Sequence, residues 1–296
     1  MTQPRATPAE AREARQQAPI GVFDSGVGGL TVLRELLREL PDERFIYFGD
    51  TGNCPYGVRP EAQIQELALA VARFLLARDV KQIVVACNAA SVSALASLRA
   101  AFELPFVGVV PAVKPAAERT RAGKVGVAAT ETSARSQYLR RLIAEHANGV
   151  EVLAAGCPRL VTLAEAGILD GPEAEAAVRG YIEPLLAAGI DELVLGCTHF
   201  PAMSAVFARV AGPAVEVIDS GAAVARQARR VLAERDLLAS PGGGPLAAPR
   251  AVRASDEFWS SGEADGFART AQAILGEEPI HARHASGMVM SPAKPA

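Results

Sequence analysis

The amino-acid sequence predicts an α/β protein of two pseudo-symmetric lobes, each a parallel sheet flanked by helices, with a site enclosed between them. Three observations carry this expectation. Short apolar, β-branched runs alternate with helical patterns at 30–40, 61–78, 91–102, 135–147, 172–188 and 221–236, an order that implies parallel strands covered by helices. The runs then repeat at nearly constant offsets: 20 to 125 and 45 to 150 (105 each), 83 to 193 (110) and 106 to 215 (109), the mark of an internal duplication. Lastly, matching runs end in matching polar residues.

Element by element, Ile20–Phe23 leads into Asp24-Ser25-Gly26, and Val125–Ala128 into Thr130–Ser133. Phe45–Phe48 leads towards Cys54-Pro55, and Val150–Ala154 towards Cys157-Pro158. Ile83–Ala86 leads into Cys87-Asn88, and Leu193–Gly196 into Cys197-Thr198. Phe106–Val110 and Val215–Ile218 close the two series. A further strand and helix are expected over 251–276, after a Gly- and Pro-rich loop from Ala239 to Arg250. The expected division is 19–104 with 214–277 as one lobe and 105–213 as the other, with 1–18 and 278–296 as loose tails.

Composition narrows the function. The chain has 296 residues, half of them hydrophobic, and a net charge of −3, so a nucleic-acid surface is not expected. Met1–Ala18 has no apolar core of the secretory type. The uncharged run Ile83–Leu98 carries Asn88, Ser91, Ser93 and Ser97 and is too short for a membrane span. A cytoplasmic protein with free thiols is the default expectation, and the cysteines show no zinc-type spacing, so no metal is expected.

In open parallel sheets, ligands bind beyond the carboxyl ends of the strands. Cys87 and Cys197 sit there in both copies of the repeat, so they approach one site from opposite lobes. A buried cysteine is often only a small hydrophobe, but the paired placement argues for chemistry, strengthened by an expected helix N-terminus after each. Two facing thiols can remove a proton from one face of a carbon and return one to the other, inverting the centre. A nucleophilic Cys–His pair, with His199 two residues after Cys197, is the alternative; it leaves Cys87 and the duplication without a role. Cys54 and Cys157, each followed by Pro, read as supporting or structural.

The chain has only four lysines, Lys81, Lys114, Lys124 and Lys294. Lys81 and Lys124 precede their strands, Lys294 is in the tail and Lys114 lacks a phosphate loop, which disfavours a pyridoxal Schiff base and favours a cofactor-free route. Gly26-Val27-Gly28-Gly29 departs from the dinucleotide pattern. It reads as a tight turn whose backbone N–H groups, with Ser25, hold a substrate carboxylate.

Taken together, GVFDSGVGGLTVL, GDTGNCPYG, VVACNAAS and LGCTHFP strongly resemble the glutamate racemases of the aspartate/glutamate racemase superfamily, over about residues 20–235 with a weaker echo at Phe258–Gly276. The resemblance implies cofactor-independent interconversion of L- and D-glutamate, supply of D-glutamate to peptidoglycan and a homodimer. It implies that Cys87 and Cys197 are the acid/base thiols, Asp24 supporting the first and His199 and Glu165 the second. It implies that Asp24, Ser25, Pro55, Tyr56, Gly57, Asn88, Thr130, Thr198 and His199 line the substrate. Ala89 stands at a substrate-lining position where the family usually has Thr, which removes a hydroxyl. An aspartate racemase, or another superfamily member acting on a small acid, is the second enzyme reading; an amino-acid-binding protein without catalysis is the non-enzymatic one.

Overall fold

The computed structural model describes residues 7–240, 250–276 and 279–289. Two parallel sheets organise them. The first has six strands: β1 (Ile20–Asp24), β2 (Phe45–Gly49), β3 (Gln82–Val85), β4 (Phe106–Gly108), β9 (Glu257–Ser260) and β10 (Ala282–His284), in the order β10-β9-β2-β1-β3-β4. The second has β5 (Lys124–Ala129), β6 (Glu151–Gly156), β7 (Glu192–Leu195) and β8 (Glu216–Ile218), in the order β6-β5-β7-β8. The order β2-β1-β3-β4 is thus reproduced by β6-β5-β7-β8, and the duplication read from strand offsets is a duplication of topology.

The strands of the first sheet, β1, β2 and β3, are buried along their whole length, which is why they read as unbroken apolar runs rather than alternating ones. Each face of each sheet is closed by its own apolar cluster. Val22, Tyr47 and Val84 face the helices Leu30–Glu39 and Gly221–Glu234, whereas Phe23, Phe48 and Val85 face Glu61–Leu76 and Asn88–Ala101. Leu193 and Leu195 of β7 pack with the helix Pro172–Ala187, while Val194 points to the other face with Val125 and Val127.

The lobe boundaries differ from those expected. β4 pairs with β3 in the first sheet and β8 with β7 in the second, so the chain crosses between lobes after Gly108 and again after Ile218, rather than at 104/105 and 213/214. Each lobe keeps its fourth strand because the hydrogen-bonding edge of the third strand is nearest and would otherwise stay unpaired. The tails also hold structure. Thr7 and Glu10 form a reciprocal capping box on the helix Pro8–Gln16, with Pro8 in the first turn. β10 extends the first sheet alongside β9. The last strand and helix expected over 251–276 are β9 and Ala264–Leu275. Of the loop Ala239–Arg250, residues 241–249 lie outside the described residues, as does Lys294.

Candidate active site

Parallel strands aim their carboxyl ends the same way, so the residues just past β1, β3 and β7 converge where the lobes meet. Cys87 follows β3 and is the N-cap of Asn88–Ala101. Cys197 follows β7, but Thr198-His199 and a 3₁₀ turn over Phe200–Met203 intervene before the helix Ser204–Ala211. The expected helix N-terminus is therefore present at Cys87 and replaced at Cys197 by a side-chain partner. Both thiols are buried.

Asp24, fully buried at the end of β1, organises the first half. Its Oδ1 accepts from the Ser25 backbone at 2.7 Å and the Ser25 hydroxyl at 3.3 Å; its Oδ2 accepts from the Gly29 amide at 2.6 Å. It also reaches the opposite lobe, where the Thr198 hydroxyl donates to Oδ2 at 3.3 Å. The Cys87 thiol donates to Ser25 Oγ at 3.7 Å, and Ser25 in turn donates to Asp24. Burial, and then the Asp24 charge, push the Cys87 thiol well up, against the lowering effect of the Ala90 amide in the first helical turn. The helix end expected to depress this thiol is outweighed by desolvation. Burial raises the Asp24 carboxyl as well, opposed by His199.

The second half is built around His199. Its Nδ1 lies 3.6 Å from Cys197 Sγ and its Nε2 2.5 Å from Glu165 Oε1. Burial alone would disfavour the charged ring, but contacts with Cys197, Cys54 and Glu165 hold its pKa well above the ordinary value. Burial would likewise raise Glu165, yet the imidazolium and the Val27 amide bring its pKa below the carboxylate norm. The pair is an ion pair, with a positive charge set against the Cys197 sulphur.

The glycine loop does something other than expected. Val27 N–H donates to Glu165 Oε1 at 2.9 Å, and Ser25 and Gly29 N–H donate to Asp24. These three amides hold the protein's own carboxylates in place of a substrate's. The glycines permit the approach: a Cβ at Gly26 would stand 1.8 Å from Glu165 Oε1, and one at Gly28 2.6 Å from His199 Nδ1.

The other expected residues divide. Asn88, Thr198, Cys197, Thr31 and Ser220 line one cavity of about 10 Å³ between the lobes, room for about one water, and the buried Asn88 amide nitrogen has no hydrogen-bond partner among the described residues. Ala89 is buried in the first turn after Cys87. Gly57 packs on Thr130, a Cβ on it lying 2.9 Å from Thr130 Cβ, and Thr132 of the same turn donates its hydroxyl to the Gly57 carbonyl. Pro55 is exposed, following a cis Cys54–Pro55 peptide. Tyr56 turns away, its buried hydroxyl donating to Asp50 Oδ2 at 2.5 Å. Tyr56 thus supports its loop through Asp50, which also accepts from Asn53 and Ser261. The sequence reading missed Thr31, whose hydroxyl reaches the Thr198 carbonyl at 3.0 Å, and Tyr47, whose hydroxyl holds the Gly26 carbonyl at 2.9 Å; nothing in their spacing marks them. Lys81 lies at the amino end of β3, ion-paired with buried Glu43. Among the described residues no helix is long and apolar enough to cross a membrane.

Two like lobes that each bring one thiol to a shared seam define a two-lobed α/β architecture with a duplicated cysteine position. Residues 20–228 match the Asp/Glu/Hydantoin racemase family. A glutamate racemase of Herpetosiphon aurantiacus is 47% identical over 256 residues, 86% of this chain and 97% of its own. The crystal structure of the Francisella tularensis glutamate racemase with D-glutamate superposes with a TM-score of 0.77 at 30% identity, covering 92% of this chain and 98% of that one. The Escherichia coli enzyme with L-glutamate gives 0.76 at 34%, covering 90% and 97%. The chain belongs to the Asp/Glu/Hydantoin racemase family, and within it to the glutamate racemases.

Proposed function

We propose that this enzyme interconverts L- and D-glutamate without a cofactor, Cys87 serving one face of the α-carbon and Cys197 the other, and that it supplies D-glutamate for peptidoglycan in the cytoplasm. The observation that carries the reading is that the two thiols end equivalent strands of the duplicated sheets, each beside its own ionisable partner, Asp24 or His199. Thr198 joins the halves by donating to Asp24 across the seam.

One thiolate removes the α-proton while the opposite thiol delivers its own proton to the other face, and the reverse reaction exchanges the roles. Ser25, held by Asp24, accepts from the Cys87 thiol and orients it; His199, fixed by Glu165, orients Cys197. Asn88 and Thr198, with the Thr130 turn, hold the substrate's polar ends, and the buried, unpartnered Asn88 amide supports that role. Ligand sites span roughly 300–1,000 Å³, so the lobes part at the seam to admit glutamate. Binding of either enantiomer by the Escherichia coli and Francisella enzymes supports glutamate as the substrate, and a homodimer is the assembly the family favours.

Incubating either enantiomer in deuterated water tests this reading. Deuterium should enter the product's α-carbon in step with inversion, with no pyridoxal absorbance and with activity surviving exhaustive chelation. Binding of glutamate without exchange would leave only a binding protein.

A further inference from the structure

Cys54 was left without a chemical role by its sequence context, yet it lies against the ion pair behind Cys197. Single ligand atoms of Cys54, Glu165 and His199 all lie within 4.8 Å of one another, the histidine buried and the other two partly so. Three separate segments bring them there: the turn after β2, the end of the helix Pro158–Glu165, and the segment after β7. Their separations of 111 and 34 residues (54 to 165, 165 to 199) match no zinc spacing, which is why only the folded chain reveals the group.

We propose that Cys54, Glu165 and His199 form a zinc site that uses three protein ligands and leaves the fourth position to solvent. The donor set fits this ion. A thiolate, an imidazole and a carboxylate are the three donors zinc takes in tetrahedral sites, and three protein ligands with an open fourth position is a common arrangement. The thiolate and imidazole disfavour magnesium and calcium, which require oxygen donors. The ligands also have outer support: the Val27 amide holds the Glu165 carboxylate and Cys197 holds His199 Nδ1, the kind of second contact that orients metal ligands.

Protons balance the binding. The Cys54 thiol loses its proton, and the imidazolium loses the one on the nitrogen that takes the metal. Up to two protons pass to the buffer for each ion bound, so affinity rises with pH. Zinc on His199 also takes over the contact through which Glu165 fixes the ring, so occupancy should inhibit racemisation. That consequence, unlike the site itself, rests on the role proposed above for His199.

Titration of the full-length protein with Co²⁺, followed by competition with Zn²⁺, tests the site directly. One equivalent should produce a thiolate-to-cobalt charge-transfer band that Zn²⁺ abolishes, with proton release measurable in two buffers. Cys54→Ser should remove the band and weaken binding by at least about a hundredfold, more than the ten- to hundredfold typical of lost outer contacts. Cys197→Ser and Cys87→Ser should keep the band. Glu165→Gln, which preserves side-chain shape, should keep the band with affinity at least about tenfold weaker, and so serves if Cys54→Ser folds poorly. A band that survives Cys54→Ser and vanishes in Cys197→Ser would place the ion on a reacting thiol and overturn the proposal, as would no band in the parent protein. Binding in the expected pattern with undiminished racemisation supports the site and counts against the role of His199.

Discussion

The two lobes share a strand order but surround their thiols with opposite charges. Cys87 sits beside Asp24, a buried carboxyl, and both burial and that neighbour favour the neutral thiol. Cys197 sits 3.6 Å from a histidine whose pKa is held up, against burial, by its contacts with Cys197, Cys54 and Glu165. Duplication has supplied the frame, and divergence of the residue after each strand has supplied the polarity. An Asp on β1 stands beside the first thiol, whereas a His-Glu pair drawn from two other elements stands beside the second. Equal positions therefore do not mean equal surroundings: a buried carboxyl stands beside Cys87 and a histidine–glutamate pair beside Cys197.

If this asymmetry underlies turnover, the largest effects come from the thiols. Cys87→Ser and Cys197→Ser should each lower racemisation by at least the roughly 10²–10⁴-fold attributed to positioned proton transfer, measured as kcat in both directions, because a serine hydroxyl gives no appreciable oxyanion near neutral pH.

Next come the residues that charge His199. Glu165→Gln keeps an acceptor for His199 but removes the charge, roughly halving a contact worth about 1.5–3 kcal/mol, which is roughly a three- to tenfold loss in kcat/KM. Gly28→Ala should act on the same half by displacing His199, since its Cβ would stand 2.6 Å from Nδ1. Either variant reducing both directions while staying folded at the assay temperature supports the assignment; parent-like kinetics in both would remove the role of His199.

The pH profile sharpens the comparison further. His199 is raised above its ordinary 6.5, so the ion pair's contribution is complete below that value and is lost as pH rises through the raised one. Glu165 is lowered from 4.5, so its share persists above 4.5 and is lost as pH falls through the lowered value. The stability plateau should therefore extend through neutrality, and Glu165→Gln should move its alkaline edge to lower pH in thermal-midpoint measurements. An unmoved edge would assign it to another group.

The smallest expected effect is at Ala89. Restoring a hydroxyl with Ala89→Thr adds at most one hydrogen bond of about 0.5–1.5 kcal/mol, a two- to tenfold lower KM for glutamate. An unchanged or higher KM would mean that another donor already fills that place.

Much of this was legible in the sequence because burial on both faces writes parallel strands as apolar runs, and because the repeat places Cys87 and Cys197 at like ends. The sheet that β4 and β8 would join was not, since a short apolar run carries no record of its partner. The helix Pro8–Gln16 was legible but passed over, its Thr7–Glu10 capping box being a local signal. The glycine loop misled for a different reason. Its amides suit any carboxylate, and only the fold places Glu165 and Asp24 within their reach. Cys54 illustrates the same limit, its neighbours coming from segments more than a hundred residues away.

If each thiol serves one face, a glutamate analogue with a leaving group on the β-carbon separates the two. Elimination needs a base on one face only, so each serine variant, though unable to racemise, should still eliminate from one enantiomer. The enantiomer that survives in Cys87→Ser should be the one lost in Cys197→Ser. One variant dead towards both enantiomers and the other close to the parent would contradict the two-faced account and make Cys197 with His199 a nucleophile pair.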